Sequence, residues 1–267
     1  MTNGAVRRIW GLMYRHLMLY KRSWPRLLEL AYWPTLTMCI WGLTARFFAA
    51  RTGSAGTVAF GMLLGGVLLW EIALRSQMGM AISFLEEVWS RNLGHVFVSP
   101  LRPWELLATL MSLSVLRTAA GVLPAVALAW AFYAFNLFSL GPVVALFAAN
   151  LMLMGWWVSL GVISLILRHG AGAEALAWSV LFALTPFSAV YYPVSVLPGW
   201  AQTVAWLLPS SHVFEGLRAA FVDGGVPYSQ IVVAAALNGV WFVVVGALFL
   251  REFRAARERG NLLLIGE

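Results

Sequence analysis

The sequence predicts an all-α polytopic membrane protein, and its composition and the grouping of its apolar residues carry that class. The chain of 267 residues is 61% hydrophobic and only 11% charged, with a mean hydropathy of +0.81. A soluble domain is about half apolar and about a quarter charged, so these polar residues could not cover a soluble surface. The apolar residues also gather into runs of about 20, the length that crosses a hydrocarbon core. The net charge of +7 comes mostly from arginines at the ends of those runs, which read as topology signals and not as nucleic-acid ligands. The single cysteine, Cys39, excludes an intramolecular disulfide and a thiolate metal cluster.

The first element, within a cytosolic segment 1–26, is an amphipathic helix over residues 5–22, too interrupted to span. Val6, Ile9, Trp10, Met13, Leu17 and Tyr20 fall on one face, with Arg7, Arg8, Arg15 and Arg22 opposite. That pattern predicts a helix lying in the membrane interface, its cationic side toward anionic headgroups. The first apolar run begins near residue 27, after this basic stretch, and is long enough to remain as a span instead of a cleaved signal.

Six spans fill a single domain, 27–250, at about 27–47, 57–80, 105–135, 142–167, 174–192 and 230–250. A tail, 251–267, follows. Residues 193–222 are apolar enough to enter lipid, yet Pro193, Pro198, Pro209, His212, Glu215 and Arg218 make a poor span. Broken helices at membrane depth need protein or a cavity to shield their freed backbone groups, so this segment is predicted as a re-entrant hairpin. Charge counting supports that choice. With six spans and both termini cytosolic, fourteen of the eighteen basic residues lie inside, and only Arg46, Arg51 and Arg218 lie outside. A seventh span would place Arg251, Arg254, Arg257 and Arg259 outside.

The segment FLEEVWSRNLG, residues 84–94, then faces the cytosol. On a helix, Phe84, Leu85, Val88, Trp89 and Leu93 occupy one half, and Glu86, Glu87, Ser90 and Arg91 the other, with Asn92 the misfit. It is predicted as a short amphipathic helix along the inner leaflet, charged face outward, ended by Gly94. Such a helix serves either as a docking element or as a plain loop helix. In the second span Glu71 and Arg75 stand four residues apart, the spacing of a helical ion pair. Intramembrane charges are candidate functional groups, so the pair reads as structural or as part of a substrate path. Arg117, inside the third span, requires an anionic partner such as Glu71, or a wet cavity. Gly61, Gly65 and Gly66 form a small-residue face suited to close helix packing.

The chemistry of catalysis is missing. The one lysine, Lys21, follows no glycine-rich loop, so no phosphate-cradling motif exists. His16, His95, His169 and His212 lack metal-ligand spacing. Ser210, Ser211 and His212 are neighbours without a nucleophile elbow, which excludes a recognisable hydrolase.

Three stretches nonetheless resemble a known family over nearly the whole chain. They are the basic amphipathic N-terminus, EEVWSRNLGHVFVSPLRPWE between spans two and three, and PVSVLPGWAQTVAWLLPSSHVFEGLR before span six. The chain is similar to the membrane permease subunit of an ABC exporter of the type 2 class, whose members export polysaccharides, lipids and drugs. The resemblance implies a bacterial inner-membrane homodimer seated on two copies of a separate ATPase. This chain then binds no cofactor, and ATP and Mg belong to the partner. The resemblance also makes the N-terminal helix a connecting helix and places Glu86, Glu87, Trp89, Arg91 and Asn92 on a coupling helix. Residues 193–222 become paired extracellular re-entrant helices. The competing reading is a secondary transporter relaying protons or ions through Glu71 and Arg75, which predicts an inverted repeat that the chain does not display. The substrate is read only as amphipathic, from the aromatic first span (Tyr32, Trp33, Trp41) and the scarcity of intramembrane charge.

Overall fold

The computed structural model describes residues 2–21, 23–52, 54–90, 92 and 101–259. Among these, nine α-helices occur: α1 (Thr2–Lys21), α2 (Trp24–Thr52), α3 (Ser54–Trp89), α4 (Pro103–Tyr133), α5 (Val143–His169), α6 (Leu176–Leu184), α7 (Gly199–Trp206), α8 (Pro209–Asp223) and α9 (Tyr228–Arg259). The central helix is α3, packed against α2, α4 and α5. On the far side α9 packs on α5 and α8, and α1 lies across α4 and α2. Two apolar cores divide the bundle along its length. One, around Leu68, Phe147, Leu151 and Phe214, lies toward the α7–α8 hairpin. The other, around Phe84, Leu85, Ile163 and Phe249, lies toward α1.

Four helices are long and apolar enough to cross a membrane: those covering Gly56–Trp89, Pro103–Tyr133, Val143–His169 and Tyr228–Glu258. These overlap predicted spans two, three, four and six. The first predicted span lies within α2, which is long enough but carries Arg26, Glu29, Arg46 and Arg51. The fifth departs from expectation. Its helix covers only Leu176–Leu184, roughly 14 Å at 1.5 Å per residue, well short of a ~30 Å core. Pro186 has no N–H with which to continue the helical ladder, and a 3-10 turn, Thr185–Phe187, follows.

The predicted separate helix at 84–94 is also corrected. Residues 84–89 are the last turns of α3, which at 36 residues is about 54 Å long and overshoots the hydrocarbon core. No proline interrupts the run from Glu71 to Trp89. Gly79 is helix-compatible there because it lets the backbone at Ser114 of α4 approach, 3.3 Å from where a Cβ would stand. Arg91 and 93–100, with the predicted stop at Gly94, lie outside the described residues.

Buried polar groups fasten the helices. The Asn238 amide donates to the Asn150 backbone oxygen at 3.0 Å and to Asn150 Oδ1 at 3.1 Å, and it accepts from Trp157 Nε1 at 3.0 Å. This seam holds α9 to α5, although α9 leaves Val232, Val240, Val243 and Val244 exposed. The glycine face of α3 does not receive a spanning helix. Gly61 and Gly65 instead take the ring of Phe221 from α8, and Gly66 faces the backbone oxygen of Val190.

Candidate functional site

At one end of the bundle, three carboxylates hold α1 in place. The Glu105 carboxylate accepts from Arg8 Nε at 2.9 Å and from the backbone N–H of Arg102 at 3.0 Å, so one side chain both caps α4 and grips α1. The Glu87 carboxylate accepts from Arg15 at 2.9 Å and from the Asn92 amide at 2.6 Å. His16, buried at 1% exposure, stands between Glu87 Oε1 at 2.9 Å and Glu86 Oε2 at 3.4 Å. Burial pulls the His16 pKa down, but the hydrogen-bonding and charge of Glu86 and Glu87 outweigh it, so the pKa lies above its ordinary value.

This geometry corrects two expectations. Arg8 and Arg15 of α1 face protein carboxylates where headgroups were expected, Arg7 is exposed, and the exposed apolar stripe is Val6, Trp10, Tyr14 and Met18. The buried carboxylates must be paired, and Arg8, Arg15 and His16 of α1 supply the partners. Likewise Glu87 does not point outward from the end of α3 but is buried beneath α1, and Glu86 is held between His16 and Arg117. Among the described members of the predicted coupling set the exposed one is Trp89, whose Nε1 donates to Glu174 at 3.2 Å across to the turn before α6.

From this cluster a cavity of about 930 Å³ runs between α2, α3, α4 and α6. That volume lies within the range of pockets for drug-sized ligands, about 300–1,000 Å³. Glu71 and Arg75 sit on its wall with Nε–Oε2 at 3.2 Å, the ion pair read from their spacing. Arg117 also lines it, but its partner is Glu86 at 2.8 Å, not Glu71, and it donates to the Gly79 carbonyl at 3.3 Å. Thus Arg117 has both the anionic partner and the cavity that its position in an apolar helix demanded.

The opposite end is set by the hairpin. Pro193 and Pro198 immediately precede a 3-10 turn and α7, and Pro209 is the first residue of α8, positions where a missing N–H costs nothing. Glu215 accepts from the Val194 N–H at 2.7 Å, and Arg218 pairs with Glu215 at 3.4 Å while donating to the Ala189 carbonyl. Ala189 is left-handed at φ 59°, a conformation that costs a non-glycine residue about 1–2 kcal/mol. The Glu215–Arg218 pair therefore pins the chain between α6 and α7. Burial lowers the Arg218 pKa, with Glu215 acting against that.

The predicted site residues thus fall into three places: the clamp and the cavity meet where Glu86 bonds Arg117, and the hairpin residues lie at the opposite end. Arg8, Arg15, His16, Glu105 and Glu174 were missed. Glu105 alone carried a local signal, since it stands three residues after Arg102 at a helix start. Among the described residues no cluster of His, Cys, Asp or Glu could hold a metal.

The ABC-2 type transporter family matches residues 7–222, a stretch holding the α1 clamp, the cavity and most of the hairpin. The chain belongs to that family. It is a multi-pass membrane protein and the permease subunit of an ABC exporter, not itself catalytic. ABC-2 permeases associate with separate ABC ATPase subunits, so the missing phosphate-binding loop follows from the division of labour.

Proposed function

We propose that this ABC-2 permease exports an amphipathic substrate, such as a lipid, a lipid-linked glycan or a drug, from a bacterial cytoplasm. Two copies of the chain work over two copies of the ATPase. Six membrane crossings, with α2 and the α6 segment as the remaining two, place the α1 end in the cytosol. The positive-inside count supports that orientation. The hairpin then lies at the outer side as a pair of re-entrant helices.

The observation that carries the reading is the cavity whose inner rim is built from the same residues as the α1 clamp. Glu86 bonds Arg117 on the cavity wall and touches His16 on α1, so a push on the end of α3 reaches both. Trp89, Asn92 and Arg91 form the part of the coupling segment that meets the ATPase. Glu86 and Glu87 transmit the stroke to α1 and α4, and Glu71, Arg75 and Arg117 line the route. ATP-driven closure of the ATPase pair tilts each permease half and opens the cavity outward. The test is co-purification: the tagged chain should bring down an ABC ATPase subunit whose hydrolysis rate changes on binding. Export activity retained in membranes lacking any ATPase partner would overturn the reading in favour of a secondary transporter.

A further inference from the structure

We infer that the cavity selects an organic cation with an apolar body, held by Glu29 among aromatic rings. This deepens the reading of the cavity as the transport route and rests on it. The described charges on the lining are three carboxylates, Glu29, Glu71 and Glu86, and two guanidiniums, Arg75 and Arg117. Four of these cancel in pairs, Glu71 with Arg75 at 3.2 Å and Glu86 with Arg117 at 2.8 Å. Glu29 forms no ion pair or hydrogen bond among the described residues, and its residue is exposed while lining the cavity. Among the described residues the lining therefore carries one negative charge without a counter-ion, on Glu29, in a largely apolar surround. Beside an apolar wall such a charge attracts a cation and repels an anion more strongly than in bulk water.

The walls match the same ligand. Glu29 and Trp33 stand four residues apart on α2, one helical turn, and both line the cavity. Trp70 and Trp178 face it from α3 and α6, and Tyr191 and Tyr192 from the chain after α6. Aromatic faces attract cations, more so when desolvated, and they offer no ligands to a bare metal ion. A volume of about 930 Å³ leaves room for an apolar body beside the charged group. An anionic headgroup would have to displace Glu71 from Arg75, stranding a buried carboxylate, or compete with Glu86 for Arg117.

A pair of probes matched in shape and opposite in charge tests this. Tetraphenylphosphonium and tetraphenylborate are titrated into the purified chain in lipid nanodiscs. Quenching of tryptophan fluorescence is read above the signal from empty nanodiscs. The phosphonium should bind at least about tenfold more tightly than the borate, a difference of about 1.4 kcal/mol. Glu29→Gln should weaken phosphonium binding by about the same factor and erase the preference, while Glu29→Asp keeps it. Equal or tighter binding of the borate by the wild-type chain overturns the inference, and that comparison stands even where a variant does not fold. Unchanged phosphonium affinity in a folded Glu29→Gln variant overturns it as well. No ATPase is present in this assay, so its failure leaves the exporter reading to the co-purification test.

Discussion

His16 is the only group in the α1 clamp whose charge changes near neutral pH, and it faces a charged neighbour on each packed helix. These are Glu86 and Glu87 of α3, Arg117 of α4 behind Glu86, and Arg15 beside it on α1. Its pKa is raised above about 6.5 in the folded protein, so its contribution is fully present below that pH and fades as pH rises through the folded value. Thermal unfolding of the detergent-solubilised chain should therefore show stability falling from pH 6 toward pH 8.5. His16→Ala should cost about 1–3 kcal/mol at the acid end and flatten the profile; an unchanged slope would remove His16 from the account. The sequence revealed Glu71–Arg75 because four residues is a helical repeat. It concealed His16–Glu87 because the two lie on different helices, and no local period links them. The pairing of Arg8 and Arg15 with protein was hidden for the same reason: hydrophobic periodicity identifies an apolar face, but only the position of buried carboxylates decides which way arginines turn.

Small residues and buried amides fix where helices of this bundle meet, beside the two apolar cores. Gly66 lies against the Val190 backbone oxygen, 3.1 Å from where a Cβ would stand. That loop has little freedom to yield, because Arg218 holds Ala189 and Glu215 holds Val194. Gly66→Ala should thus cost about 1–3 kcal/mol by overpacking, read as a lower melting temperature. Mobility of a spin label on α7 should rise with it. At the other seam, Asn238→Leu removes three hydrogen bonds joining α9 to α5. Interhelical bonds in membranes average about 0.6 kcal/mol and reach about 1.7, so a loss of about 1–2 kcal/mol is expected. Disulfide cross-linking between cysteines placed on α5 and α9 should become less efficient. The four long apolar helices were legible because about 20 apolar residues have one use in such a chain. The short α6 was less so: hydropathy averages over Pro186, while the backbone stops at it. The glycine face was legible as a packing site, but not its occupant, since Phe221 arrives from a distant segment.

For the whole molecule, the question is how force applied at the end of α3 reaches the cavity. Direct contact of Glu86 and Glu87 with the ATPase and transmission through the α1 clamp both predict that charge reversal uncouples the machine. Double substitution Glu86→Lys, Glu87→Lys faces Arg15, His16 and Arg117 with like charge. The variant should still insert in the membrane and bind the ATPase, yet hydrolyse ATP without export. Wild-type coupling in that variant would defeat both routes. A charge swap separates them. Glu87→Lys with Arg15→Glu rebuilds one ion pair of the clamp with its polarity inverted, while any surface contact made by Glu87 stays lost. Because Glu87 is 1% exposed under α1, the clamp route is the one the geometry favours. The swap should recover at least half of the export lost in Glu87→Lys alone, measured in inverted vesicles with ATP hydrolysis followed in parallel. No recovery in a correctly inserted swap variant would place Glu87 at the ATPase surface instead. Trp89, half exposed at the tip of the same helix, provides the complementary measurement. Trp89→Ala should weaken ATPase association itself while leaving α1 seated.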